Sequence, residues 1–331
     1  MRLVDAAAPV FARHETFHPR YGWFRKAFDA ACENSAAFTD PNATVELGVG
    51  KNMVKAIRFW GLAAKLIQDD PDSPNQRSPG VVPTTFGKLL FDPEGGWDRY
   101  MEDPGTLWLL HWKLLSPRCV LPVWWATFNE FHAVEFDAAE LELACAGGIA
   151  VAAEWQAPHH SSLKKDVTAL LRTYAPADRS ARSSIDDLLD CPLRELGLIA
   201  RSQATGRYRF AMGAKPTLPS AIAAYAVLDY IACRDPKAST VLLSRIADEP
   251  GAPGRAFRLS ESELADALRP AAESLSGGKL ALASPAGAAQ LGWKGSPRRL
   301  ADKILAAYYF ADLDTARAQM DAGLVGAVMA R

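Results

Sequence analysis

This chain of 331 residues has no strong excess of one charge, no paired-cysteine framework and no apolar run of membrane length. Each absence excludes something. With 37 Lys and Arg against 38 Asp and Glu the formal net charge is −1, so any affinity for nucleic acid has to come from local patches, not from a global positive field. The five cysteines, Cys32, Cys119, Cys145, Cys191 and Cys233, lie far apart without a Cys-x-x-Cys pair. An odd, scattered set fits reduced thiols and excludes a disulfide frame or a zinc ribbon. The longest apolar run, Leu143–Ala153, has 11 residues, against roughly 20 for a bilayer-spanning helix. The opening MRLVDAAAPVFARHE lacks the apolar stretch of a secretory signal. A cytoplasmic protein with no membrane partner is expected.

What is present is ample core material: 49% of residues are apolar and 23% charged, the proportions of a globular protein. The most informative stretch is Leu47–Trp60, LGVGKNMVKAIRFW. At about 100° per residue Met53, Ile57, Trp60, Ala64 and Ile67 fall on one stripe, with Lys51, Lys55, Arg58 and Lys65 opposite. Gly48 and Gly50 precede it, where a tight turn delivers the chain into the helix. An apolar back and a row of outward cations is the layout of a DNA-recognition helix. It is equally the layout of an ordinary amphipathic surface helix.

The surroundings favour the first reading. A helix over Tyr21–Cys32 comes first, and Thr39-Asp40-Pro41 opens a short second one near Asn42–Leu47. Asp69–Pro83 holds four prolines and reads as a loop or extended hairpin, and Thr85–Phe91 follows. Three helices and a hairpin, the third helix basic, is the order of a winged helix-turn-helix. Aromatic helices are expected at Gly105–Leu115 and Pro122–Phe131, their tryptophans facing a core. A second unit begins near Trp155 with a helix over Ser162–Ala175. Ser184 would cap Ile185–Leu189, and a basic hairpin turns at Gly206. Ser260-x-x-Glu263 is a capping box, Leu280–Ser284 a strand, and Arg298–Phe310 a last helix. The expected fold is mainly α with small β wings: winged-helix-like units joined by aromatic helices, in domains spanning 1–150 and 151–331.

Catalytic signatures are weak. His14–His18, HETFH, matches H-E-x-x-H, but that zinc chemistry needs both imidazoles on one helix face. Pro19 pushes His18 out of the helical region, so zinc is not expected. Gly48–Asn52 lacks the lysine–hydroxyl ending of a phosphate loop, and no nucleotide is expected. His14 and Glu15 remain as a pair suited to general acid–base or metal-assisted cleavage of a phosphodiester. The alternative is a hydrogen-bonded pair that fixes the N-terminal segment. By themselves the residues describe a DNA-binding scaffold better than a catalytic centre.

RHETFHPRYGWFRK, LGVGKNMVKAIRFW, PTTFGKLLF, MEDPGTLWLLHWKLL, WWATFNEF and DCPLRELGLI, in this order, resemble the SspB family over roughly His14–Tyr309. His14, Glu15, Arg20, Trp23, Lys51, Asn52 and Arg58 match its pattern, whereas His18 does not. The resemblance implies a DNA nickase of bacterial phosphorothioation and anti-phage defence. Its partners would be a cysteine desulfurase, an ATPase and a PAPS-reductase-like subunit. Double-stranded DNA would meet Lys51, Asn52, Lys55, Arg58 and Lys65, with Arg20 and Lys26 clamping phosphate. His14 and Glu15 are the candidate catalytic pair, and Mg²⁺ or Mn²⁺ is the ion such a carboxylate would use. A homodimer is left open. The alternative function is a non-enzymatic DNA-binding adaptor or transcription regulator that recruits modification subunits.

Overall fold

A computed structural model describes residues 1–176, 191–275 and 277–310, and the expected Ser184–Leu189 turn lies outside them. The fold is mixed α and β, with helices dominant and every sheet small and antiparallel. Backbone packing divides the chain into two units. A helix–hairpin unit takes Leu3–Tyr100 and Lys113–Ala211, and a three-stranded unit takes Met1–Arg2, Met101–Trp112 and Met212–Arg331. Both units therefore draw on residues from either side of position 150. No helix of the described residues is long and apolar enough to cross a membrane.

In the helix–hairpin unit, α1 spans Leu3–Ala6 and α2 spans Trp23–Glu33. Gly22 opens α2 with φ 78°, and Trp23, Phe24, Ala27, Phe28, Ala30 and Ala31 give it a continuous buried side. The short α3, Ala43–Glu46, leads through a Gly48 turn at φ 64° into α4, Lys51–Ala63. The back of α4 is buried at Val54, Ile57, Phe59 and Trp60, while Met53 is only half-buried. Gly61 lets α4 press on α2: an added Cβ would stand 2.7 Å from the Cβ of Ala27. The helix stops at Ala63, short of the expected stripe. Lys65 takes φ 61°, and Ile67 belongs to β1, Ile67–Asp69. β1 pairs antiparallel with β2, Val81–Pro83, in the register Gln68 to Val82. Thr84 then caps α5, Thr85–Phe91, by accepting from the Gly87 amide.

α6 covers Pro104–Leu115, most of it in the three-stranded unit. α7, Pro122–Asn129, is buried along its whole length and backs α4, its Trp124 ring 5.8 Å from that of Trp60. Trp108, Trp112, Trp124 and Trp125 are core, as aromatics at helical spacing usually are. α8 spans Ala138–Ala150, and α9 spans His160–Tyr174, with Leu163, Val167 and Leu170 inward. β3, Ile199–Arg201, and β4, Tyr208–Phe210, form the expected second hairpin around Gly206 at φ 70°.

The three-stranded unit is built on α10, Ser220–Arg234, packed by α14, Pro297–Tyr309. Between them in sequence come β5 (Thr240–Leu242), α11 (Leu243–Asp248), α12 (Pro253–Phe257), α13 (Glu261–Pro270), β6 (Leu280–Ala283) and β7 (Gln290–Trp293). Ser260 and Glu263 make the expected capping box on α13. β7 is the middle strand, flanked by β5 and β6. The Asp229 carboxylate is buried and accepts from Trp112 Nε1 at 2.8 Å, and it also pairs with Arg298.

Candidate nucleic-acid interface

The first turn of α4 is built to stay open. Gly50 precedes it with extended backbone, provides no side-chain cap, and no acidic residue follows in that turn. Lys51 and Asn52 are exposed, and the first amides accounted for by the chain are Met53 and Val54, both donating to the Gly50 carbonyl. Exposed N–H groups at the positive end of a 13-residue helix, beside a lysine, favour an anion.

Further along the helix the cations find partners within the chain. Lys55 is 53% exposed, its Nζ 3.0 Å from Glu15 Oε1. Arg58 is 26% exposed and donates to Asp69 Oδ1 at 2.6 Å and to the Pro79 carbonyl at 3.2 Å. Lys65 does not continue the row. Past the helix end its left-handed backbone turns the ammonium onto Ser116, through both carbonyl and hydroxyl, and onto the Pro117 carbonyl at 3.0 Å. Lys26 donates to the Leu47 carbonyl at 2.7 Å, steadying the loop before α4. Arg20 is half-buried with its guanidinium over Phe17 and Trp23, at 5.9 and 5.6 Å.

His14 and Glu15 are adjacent in sequence and go opposite ways. Ala12, Glu15 and Thr16 all have positive φ, at 54°, 50° and 71°. Three such non-glycine residues in five make a strained turn, not a helix. His14 is 1% exposed, among Phe59, Trp60 and Trp124, with Nε2 2.6 Å from Asp166 Oδ1. The same carboxylate oxygen accepts from the Ala12 amide at 2.9 Å, and Trp60 Nε1 donates to the Phe17 carbonyl at 3.1 Å. Asp166, 3% exposed, thus anchors the turn from α9. Glu15 remains at the surface facing Lys55. The structure brings Glu15, Lys51, Asn52 and Lys55 to one outer edge and takes His14 beneath it. The sequence reading missed Asp166, although an acid set between Leu163, Val167 and Leu170 was the signal.

Comparison with known proteins shows the family. Residues 11–309 match a family described as "Protein of unknown function (DUF4007)". A solved "SspB crystal structure" is 39% identical, with a TM-score of 0.87 over 96% of this chain and 92% of that one. The chain belongs to the SspB family. A "Magnesium ion-bound SspB crystal structure" is 38% identical, with a TM-score of 0.87 over 99% of this chain and 97% of that one. No curated protein matches. The magnesium ion belongs to that SspB relative. In the present SspB-family chain no three His, Cys, Asp or Glu side chains gather into a metal-holding set among the described residues. Mg²⁺ often takes only one or two carboxylates and keeps its waters. Such an ion therefore needs no three-ligand cluster to bind.

Proposed function

We propose that this SspB-family protein binds double-stranded DNA and nicks one strand, serving single-stranded phosphorothioate modification. The observation that carries the reading is the open first turn of α4, uncapped, free of acids and flanked by exposed Lys51 and Asn52. In this reading α2, α3 and α4 with the β1–β2 hairpin act as a winged helix-turn-helix, and α4 is the recognition helix. A phosphate would take the first amides together with Lys51, and Asn52 is long enough to bond a base edge. Lys55 joins when a phosphate replaces Glu15 as its partner. Arg58, Lys65, Lys26 and Arg20 hold the hairpin, the helix end and the lead-in in shape.

Glu15 is the candidate for chemistry. Its carboxylate sits at the surface on a strained turn, where it would accept the proton of a water attacking phosphorus, while the P–O bond to one deoxyribose oxygen breaks and that oxygen takes a proton from solvent. His14, fixed by Asp166 below, is a positioning residue for that turn. Mg²⁺ or Mn²⁺ is the ion to supply. The proposed partners are the desulfurase, ATPase and PAPS-reductase-like subunits of the same system, in the cytoplasm. The alternative is a DNA-binding adaptor or transcription regulator without nuclease activity, since the open first turn of α4 can hold DNA without any catalytic group.

Supercoiled plasmid incubated with the full chain and Mg²⁺ or Mn²⁺ separates the two. Open circles from wild type and none from Glu15→Gln support the nickase. Asp166→Asn should lower nicking while leaving DNA affinity within about twofold. Retained DNA binding without nicking under either ion leaves the adaptor.

A further inference from the structure

A cavity of about 350 Å³ opens on α2 beside the loop that feeds α4. Its volume lies at the lower end of the range for pockets that bury a small ligand. Trp23, Ala37 and Leu47 are buried and give it an apolar floor, while Tyr21, 44% exposed, and the carboxylates of Glu33 and Glu46 stand at the rim. Its chemistry disfavours a phosphate. Of the two cations, Lys26 is engaged by the Leu47 carbonyl, and Arg25 lies over the Tyr100 ring with Asp29 3.7 Å away. A metal fits no better, because the deepest acid, Asp29, is held by Arg99 at 3.2 Å. An aromatic face, an apolar floor and two free acceptors suit a flat heterocycle that carries an amine.

Position favours the same ligand. Leu47 lines the cavity and Lys51 begins α4. The four residues from one to the other span at most about 15 Å even fully extended. The cavity wall at Leu47 is therefore within reach of a strand held by the first turn of α4. We propose that the cavity receives one unstacked, amine-bearing nucleobase, stacked on Tyr21 and hydrogen-bonded through its amine to Glu33 or Glu46. An enzyme that works on one strand gains selectivity by reading a base taken out of the stack. This inference rests on the DNA reading above.

Anisotropy titrations of the full chain with fluorescent oligo(dC), oligo(dA) and oligo(dT), alongside a duplex, test both. The amine-bearing strands should bind about fivefold tighter than oligo(dT), and Glu33→Ala with Glu46→Ala should erase that preference. Tyr21→Ala should weaken all three strands about tenfold, the range for loss of one base–aromatic stack, whereas Tyr21→Phe should not. The Tyr21 hydroxyl donates to Glu195, so Ala37→Met, which fills the floor without touching that bond, guards against a folding artefact. Equal affinity for the three strands, unmoved by Tyr21→Ala and Ala37→Met while the duplex still binds through Lys51, overturns the pocket alone. Failure of every strand and of the duplex overturns the DNA reading and the pocket with it.

Discussion

The two ends of α4 carry the same kinds of side chain and use them oppositely. At the N-terminal end Lys51 and Asn52 stand in solvent beside uncapped amides. At the far end Arg58 is tied to Asp69 and Pro79, and just beyond the helix Lys65 is tied to Ser116 and Pro117. Helical position alone puts these cations in one row, and what each does is set by the acceptors that the rest of the unit brings near. An exposed ammonium beside free N–H groups can bind a phosphate at little desolvation cost. A half-buried one satisfying carbonyls has become part of the framework. Lys55 lies between these cases, paired with Glu15 but 53% exposed.

The sharpest way to break this contrast is to remove a cation from each end. Lys65→Met keeps the aliphatic stem and leaves the acceptors of Ser116 and Pro117 without their donor. It should cost about 2 kcal/mol of stability, read as a lower urea midpoint. Lys51→Ala, at an exposed position, should change stability by no more than about 0.5 kcal/mol. Similar losses from the two would show that both ends are structural. Lys51→Ala combined with Asn52→Ala should instead lower duplex affinity about tenfold and reduce the salt slope by about one phosphate contact. An unchanged slope would show that DNA lies elsewhere.

Much of this layout was legible in the sequence because its causes are local. The apolar stripe of α2, the glycine turn before α4, the turn at Gly206 and the Ser260–Glu263 capping box each depend on residues a few positions apart. The end of α4 was not legible. Ala64, Lys65 and Ile67 keep the helical period, yet Lys65 adopts φ 61° and the strand pairing of Ile67 with Pro83 takes over. That choice is made by tertiary contacts, which periodicity does not contain. The His14 pairing is farther out of reach, since its partner Asp166 is 152 residues away. Pro19 did signal that HETFH would not coil, and the segment is a turn. It could not signal that His14 would go inward and Glu15 outward.

Smaller effects test the intermediate case. A carboxylate paired with Lys55 competes with an incoming phosphate, so Glu15→Gln should raise duplex affinity about threefold and steepen the salt slope by about one contact, even as nicking is lost. A drop in affinity would mean that Glu15 holds the surface in shape instead of guarding it. Arg58→Ala should change affinity least, by less than about twofold at moderate salt. Its guanidinium already satisfies Asp69 and Pro79, and the 57% exposed Asp69 carboxylate offsets its charge toward a duplex. Asp69→Asn decides the point. If freeing Arg58 from its carboxylate raises affinity as Glu15→Gln does for Lys55, the far end of α4 is a masked part of the interface. If it lowers only the urea midpoint, Arg58 belongs with Lys65, and the DNA-facing edge ends near Lys55.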